Sequence, residues 1–184
     1  MPAEDPHTRG HRRGRRAHSD GIAVPAMLLG VGLGGFLDGI VLHQILQWHH
    51  MVSAAEGHAA TTVRGLEFNT LWDGLFHAVA YLFVLAGLAL LWNRRQGAEA
   101  AARSWRGVLG WALIGWGVFN LVEGIVDHHL LGIHHVRSGP NQLAYDLGFL
   151  ALGALLISVG WLLASRPRVR DVPPSRSFGR GDAG

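Results

Sequence analysis

The chain has 184 residues, 26 glycines, seven tryptophans, no cysteine and a mean hydropathy of +0.21. This composition does not fit an ordinary soluble domain, and it excludes disulfides, thiolate zinc sites and cysteine nucleophiles. All 16 basic residues are arginine, 14 of them gathered over 9–16, 94–106 and 166–180 with apolar segments between; these are membrane flanks rather than a groove for nucleic acid.

Residues 1–21 are polar and Arg-rich and read as a disordered cytoplasmic tail. The arginine pairs at 12–13 and 15–16 resemble a twin-arginine signal, but no suitable motif follows them. The apolar run that follows carries Asp38 and has no small-residue cleavage site, so an uncleaved anchor is expected. Four apolar segments then cover about 22–51, 68–92, 108–131 and 142–164. Each reaches the roughly 20 residues a helix needs to cross the hydrocarbon core. Helices are expected because lipid offers the backbone no hydrogen-bond partner. The transmembrane domain is thus placed at 22–165, and 166–184, with Pro167, Pro173 and Pro174, is a second disordered tail. The expected fold is all-α: an integral membrane four-helix bundle with up-down connections.

Arginine placement orients the bundle. Fourteen arginines fall in the two tails and the loop between the second and third segments, and only Arg64 and Arg137 fall in the other loops. The positive-inside rule then puts both termini in the cytoplasm, and a bacterial inner membrane is the expected location. In that frame the ionisable residues form one layer toward the extracytoplasmic face. The first segment contributes Asp38, His43, His49 and His50; the second, Asp73 and His77; the third, Glu123, Asp127 and His128. Tyr145 and Asp146 open the fourth.

Helices one and three repeat each other. Asp38-Gly-Ile-Val-Leu-His43-Gln-Ile-Leu-Gln-Trp-His49-His50 aligns without a gap, at an offset of 85, with Glu123-Gly-Ile-Val-Asp-His128-His-Leu-Leu-Gly-Ile-His134-His135. The second and fourth segments match more weakly: Asn69-Thr-Leu-Trp-Asp73 beside Asn141-Gln-Leu-Ala-Tyr-Asp146, with one insertion. Two tandem hairpins related by a pseudo-twofold axis along the membrane normal are expected, with helices one and three diagonal across the core.

Carboxylates in the bilayer are costly, about 2.5–3.5 kcal/mol each at its centre by insertion scales. The helix interiors offer them no Arg or Lys, which leaves histidine, water, protons or a metal ion. Asn69, Asp73, His77 and Tyr81, four apart, form one stripe; Asn120, Glu123 and Asp127 form a second; His43, Gln47 and His50 a third. Asp38 and His43 are five apart, about 140° around an α-helix, so Asp38 is expected to orient a neighbour rather than share an ion with His43. The expected ligands are therefore His43, His77, His128, Glu123 and Asp73. Asp38, Tyr145 and Asp146 stand behind them, and His49, His50, Asp127, His134 and His135 supply a second shell or an outer site. This imidazole and carboxylate mixture suits Zn, Fe, Mn or Cu. The architecture resembles the di-iron carboxylate bundles, although Glu123 is followed by His128 rather than by a histidine three residues on.

At GGFLDGIVLHQILQWHH (34–50), DGLFHA (73–78) and VDHHLLGIHHVR (126–137) the chain resembles the uncharacterised bacterial membrane proteins of domain of unknown function family 2243, over about 22–165. The resemblance implies a four-helix inner-membrane protein and brings no reaction. His43, His77, His128 and His134 sit on the family's pattern, whereas many members carry Trp at the place of His129 and Arg at that of His135. The expected function is a membrane protein with a His/carboxylate metal site near the extracytoplasmic face, acting as an oxidoreductase or hydrolase. A b-type haem or quinone protein, a proton or ion path and a structural subunit are the alternatives. The bilayer is the expected partner, together with a second copy or a membrane complex, and nucleic acid is not.

Overall fold

The computed structural model describes residues 6–93 and 105–165, with side chains from Gly21 onward. Helix α1 spans Pro6–Asp38 and continues into a π-helical turn over Gly39–Ile45. Helix α2 spans Val63–Asn93. Helix α3 spans Trp105–Glu123 and continues into a second π-turn over Gly124–Leu130, and α4 spans Gln142–Ser165. No strand occurs among the described residues. The tail expected at 166–184 lies outside the described residues; of that at 1–21, only the helical backbone from Pro6 is described.

All four helices are long and apolar enough to cross a membrane, over Gly21–Ile45, Val63–Asn93, Trp105–Leu130 and Gln142–Ser165. Burial is inverted relative to a soluble protein. Among the described residues four hydrophobic side chains are buried (Ala26, Ala80, Ile114, Val136), against ten polar or charged ones, while leucines and tryptophans of α2 and α4 face outward. Apolar side chains gain nothing from leaving lipid, so the interior is free to be polar provided its groups find partners.

The helices stand in the order α2, α1, α3, α4, each packed on the next, and α2 and α4 do not meet. Helices α1 and α3 are therefore not diagonal across a square core, as the up-down pattern suggested, but in direct contact along the pseudo-twofold axis. Their crossing is made by glycine. A Cβ on Gly30 would collide with the carbonyl of Ala112, and one on Gly115 with the carbonyl of Met27, two contacts related by the offset of 85. Small residues let the backbones approach this closely. The outer helices dock in the same paired way: Gly87 of α2 lies against Pro25 and Leu29, and Gly160 of α4 against Gly110 and Ile114. This register relates α2 to α4 by a constant offset of 73 without the expected insertion. Asp73 still pairs with Asp146, but Asn69 pairs with Gln142, and His77 pairs with Leu150.

Both inner helices end alike. After each π-turn the chain leaves the helix at a residue with positive φ, Gln47 at 50° and Gly132 at 60°. The first segment was expected to stay helical to Met51. Instead 46–51 fold back over the end of the bundle, tied to the other half by Ala54 N–H donating to Ile133 O at 2.9 Å. Asn69 pins the loop from below, accepting from Val52 N–H at 3.1 Å and donating to His58 O at 2.6 Å.

Candidate metal centre

A π-turn bonds residue i to i+5, so residues five apart lie nearly one above the other. The α-helical wheel that separated Asp38 from His43 therefore does not apply, and the same holds for Glu123 and His128. Widening each helix at this point brings acid and imidazole to one face. The returning loops then add His49 and His134.

Two groups result, Asp38/His43/His49 and Glu123/His128/His134. Each is fully buried, and within each the candidate ligand atoms lie within 4.8 Å of one another. All three members are related by the 85-residue offset, so the site is built twice. The halves meet on the axis, where the His49 and His134 rings stack in parallel at 4.7 Å. His43 lies 4.5 Å from His49, and His128 lies 4.9 Å from His134, ring centre to ring centre.

The Nδ1 atoms are anchored. His49 Nδ1–H donates to Val136 O, and His134 Nδ1–H to Met51 O, both at 2.9 Å. A carbonyl only accepts, so in both rings Nδ1 carries the proton and the Nε2 lone pair is free. His43 Nδ1–H donates to Asp73 Oδ1 at 3.0 Å; the matching approach of His128 Nδ1 to Asp146 Oδ1 is looser, 3.5 Å. The Nε2 atoms of all four histidines are buried without a hydrogen-bond partner, as are Asp38 Oδ2 and both oxygens of Glu123. Buried polar atoms are rarely left unpaired, and here they are concentrated at one place.

The separations fit one ion per group. In tetrahedral coordination with bonds of about 2.0–2.1 Å, neighbouring ligand atoms are about 3.3 Å apart. His43 Nε2 is 3.2 Å from Asp38 Oδ2, and His134 Nε2 is 3.5 Å from Glu123 Oε1, without the alignment of a hydrogen bond. His49 and His134 lie beyond the membrane-spanning segments. Burial and the neighbouring His43 push the first down to about 4, and burial with His49 and His128 pushes the second down to about 2. Both are neutral near pH 7, the form that ligates a metal.

Asp73 and Asp146 stand one layer out. Asp73 accepts from His43, from His50 Nδ1–H at 2.6 Å, from Met51 N–H at 2.9 Å and from Gln44 at 3.3 Å. Asp146 accepts from His135 Nδ1–H at 2.8 Å and from Val136 N–H at 3.0 Å. Each carboxylate thus fixes one ring and clamps the loop that carries another, and His50 and His135 act on these clamps rather than on the centre.

Of the five residues expected to hold the ion, the structure brings His43, His128 and Glu123 into the two groups. It places Asp73 behind His43. It leaves His77 apart, half-buried, donating to the Asp73 carbonyl of its own helix at 2.7 Å. Asp38, His49 and His134, expected behind or outside the centre, complete the groups instead. Asp127 is half-buried in the wall of a neighbouring cleft. Tyr145 packs on Trp48 at 5.6 Å, and its hydroxyl accepts from Arg137 at 3.0 Å. The repeat itself marks these two groups: the counterpart of His77 is Leu150, whereas each of the three members of one group has an acid or a histidine as its counterpart in the other.

No curated protein and no solved structure matches the chain. The family model described as predicted membrane protein (DUF2243) matches residues 25–167, and the chain belongs to that family, whose function is unknown.

Proposed function

We propose that this protein binds transition-metal ions at two equivalent His/His/carboxylate sites near the extracytoplasmic face, and that it is a metal-dependent oxidoreductase or hydrolase. The observation that carries this reading is the set of four buried Nε2 atoms and two carboxylates that lack partners, with the opposite edges of His43, His49 and His134 held by hydrogen bonds. Histidines that ligate metals are held in this way by a carboxylate or carbonyl. Two histidines and one carboxylate leave positions open for water or substrate. This donor set suits Zn, where it serves hydrolysis, and non-haem Fe(II), where it serves oxidation. Mn and Cu are weaker fits, since the set contains neither further oxygen ligands nor sulfur. The sites lie toward the face opposite most of the arginines, hence extracytoplasmic, in a bacterial inner membrane with both termini cytoplasmic.

One observation favours a second reading. His50, Asp73 and His43 are joined by hydrogen bonds of 2.6 and 3.0 Å, and Asp38 Oδ2 lies 3.2 Å beyond His43 Nε2, a row of groups such as a proton path would use. A b-type haem is disfavoured, because the four imidazoles pack on one another at 4.5–4.9 Å and leave no slot for a macrocycle.

Metal content per chain, after purification without a His tag, separates these readings. Wild type and His58→Ala are expected to carry two ions per chain, and His43→Ala and His128→Ala to lose one each. Folded wild type that takes up no ion from added Zn(II) or Fe(II) overturns the metal reading and leaves the proton path.

A further inference from the structure

Each site has a cleft beside it. That on the Asp38 side has a volume of about 260 Å³ and is walled by Leu37, Leu42, Trp116, Phe149 and Leu152, with the buried Asp38 and Asn120 also in its lining. Its counterpart on the Glu123 side, about 210 Å³, is walled by Val31, Phe76, Phe119 and Val122. The two differ where the repeats differ. Gly34 in the first stands where Phe119 stands in the second. Asn120 has Gly35 as its counterpart, so a buried amide exists on one side only. Asn120 is 1% exposed, and its Oδ1 has no hydrogen-bond partner.

The larger cleft is lined from α1, α3 and α4, and the backbones of α1 and α4 stay apart. Leu37 and Leu152 at its sides are 47% and 44% exposed. Tyr145 lines it, edge-to-face with Trp48 and with Arg137 over both rings at 5.2–5.6 Å, a cluster suited to the head-group level. A ligand therefore enters sideways from the bilayer. The volume decides its size: a cavity of about 150 Å³ holds benzene, so this one holds a ring with a short substituent. Trp116 and Phe149 favour an aromatic ring over an alkyl chain. The unpaired Asn120 oxygen asks for an O–H donor, since leaving it buried and unpaired costs about 1–3 kcal/mol.

We infer that this cleft binds a phenolic ring dissolved in the membrane, either a free phenol or the head of a tailed hydroquinone, its hydroxyl on Asn120 Oδ1 and its edge beside Asp38. This names the substrate class of the proposed centre and rests on that reading for the part Asp38 plays.

The test is uptake of 4-propylphenol by the protein in lipid nanodiscs, by equilibrium dialysis against empty discs, with metal counted in the same samples. About one probe per chain above the empty discs is expected, with propylbenzene, which lacks the hydroxyl, about tenfold weaker. A Cβ on Gly148, in the cleft wall, meets nothing within 4 Å, nor does one on Gly74 on α2. Gly148→Leu therefore fills the cleft without disturbing the fold and is expected to abolish uptake, whereas Gly74→Leu keeps it. Asn120→Leu is expected to bind phenol no better than propylbenzene; if it does not fold, the two probes on wild type read the same hydrogen bond. Uptake that survives Gly148→Leu, propylbenzene binding equal to phenol, or no excess over empty discs overturns the inference. Metal present without uptake overturns the cleft alone, and uptake without metal overturns the metal reading alone. Displacement of the probe by an isoprenoid hydroquinone identifies a membrane quinol as the source, and failure to displace it identifies a free phenol.

Discussion

Asp73→Asn distinguishes a ligand from a residue that holds a ligand. In the structure Asp73 touches only the far edge of His43 and clamps the loop through His50 and the Met51 amide. Asparagine keeps the shape but offers one acceptor oxygen where the carboxylate offers two, so either His43 or His50 loses its partner. Loss of such an outer contact lowers metal affinity about 10–100-fold, or about 1.4–2.7 kcal/mol. Asp38→Asn removes one of three donors and is expected to abolish binding at the first site while leaving the second. His77→Ala is expected to leave both, because that ring bonds only to its own helix. The assay is competition for Zn(II) against a chromophoric chelator in detergent solution. If Asp73→Asn loses the ion as completely as Asp38→Asn, or if His77→Ala loses one, the ligand assignment is refuted.

Three further outcomes follow from the fold. Gln47 holds a φ of 50° where its counterpart is Gly132; this conformation costs a side chain about 1–2 kcal/mol, so Gln47→Gly raises thermal stability by about 1 kcal/mol and Gly132→Gln lowers it. Gly115→Ala sets a methyl against the Met27 carbonyl and forces α1 from α3, a loss of about 1–3 kcal/mol read in the same melts; an unchanged midpoint would contradict the close crossing. In metal-free protein, His49 and His134 refuse protons that the unfolded chain accepts below its ordinary value of 6.5. Their contribution is complete above pH 6.5 and is lost as pH falls through about 4 for His49 and on toward about 2 for His134, so the midpoint falls between pH 7 and pH 5, and less so in His49→Phe.

The four helices were legible because long apolar runs admit one solution in lipid, and the doubled site because Asp38/Glu123, His43/His128 and His49/His134 share one offset. Three things were not. The π-turns rotate Asp38 toward His43, and no composition signal marks the change from a four-residue to a five-residue hydrogen bond. The helix ends at Gln47, a residue that gives no stop signal, whereas Gly132 does so in the second repeat. Reading the first repeat by the second would have freed His49 from the helix and returned it to the centre. The stripe at Asn69, Asp73, His77 and Tyr81 misled because regular spacing says which residues share a face but not how far into the bundle that face extends. Asn69 and Asp73 are buried, His77 is half-buried, and Tyr81 is 53% exposed.

The most direct measurement is anomalous diffraction from crystals of metal-loaded protein, recorded at the absorption edge of the bound element. The account predicts two peaks per chain related by the pseudo-twofold axis. One is expected within about 2.0–2.2 Å of donors from Asp38, His43 and His49, the other at the same distance from Glu123, His128 and His134. A peak bound by His77 or Asp73, or no peak between the stacked rings of His49 and His134 and their partners, would contradict it.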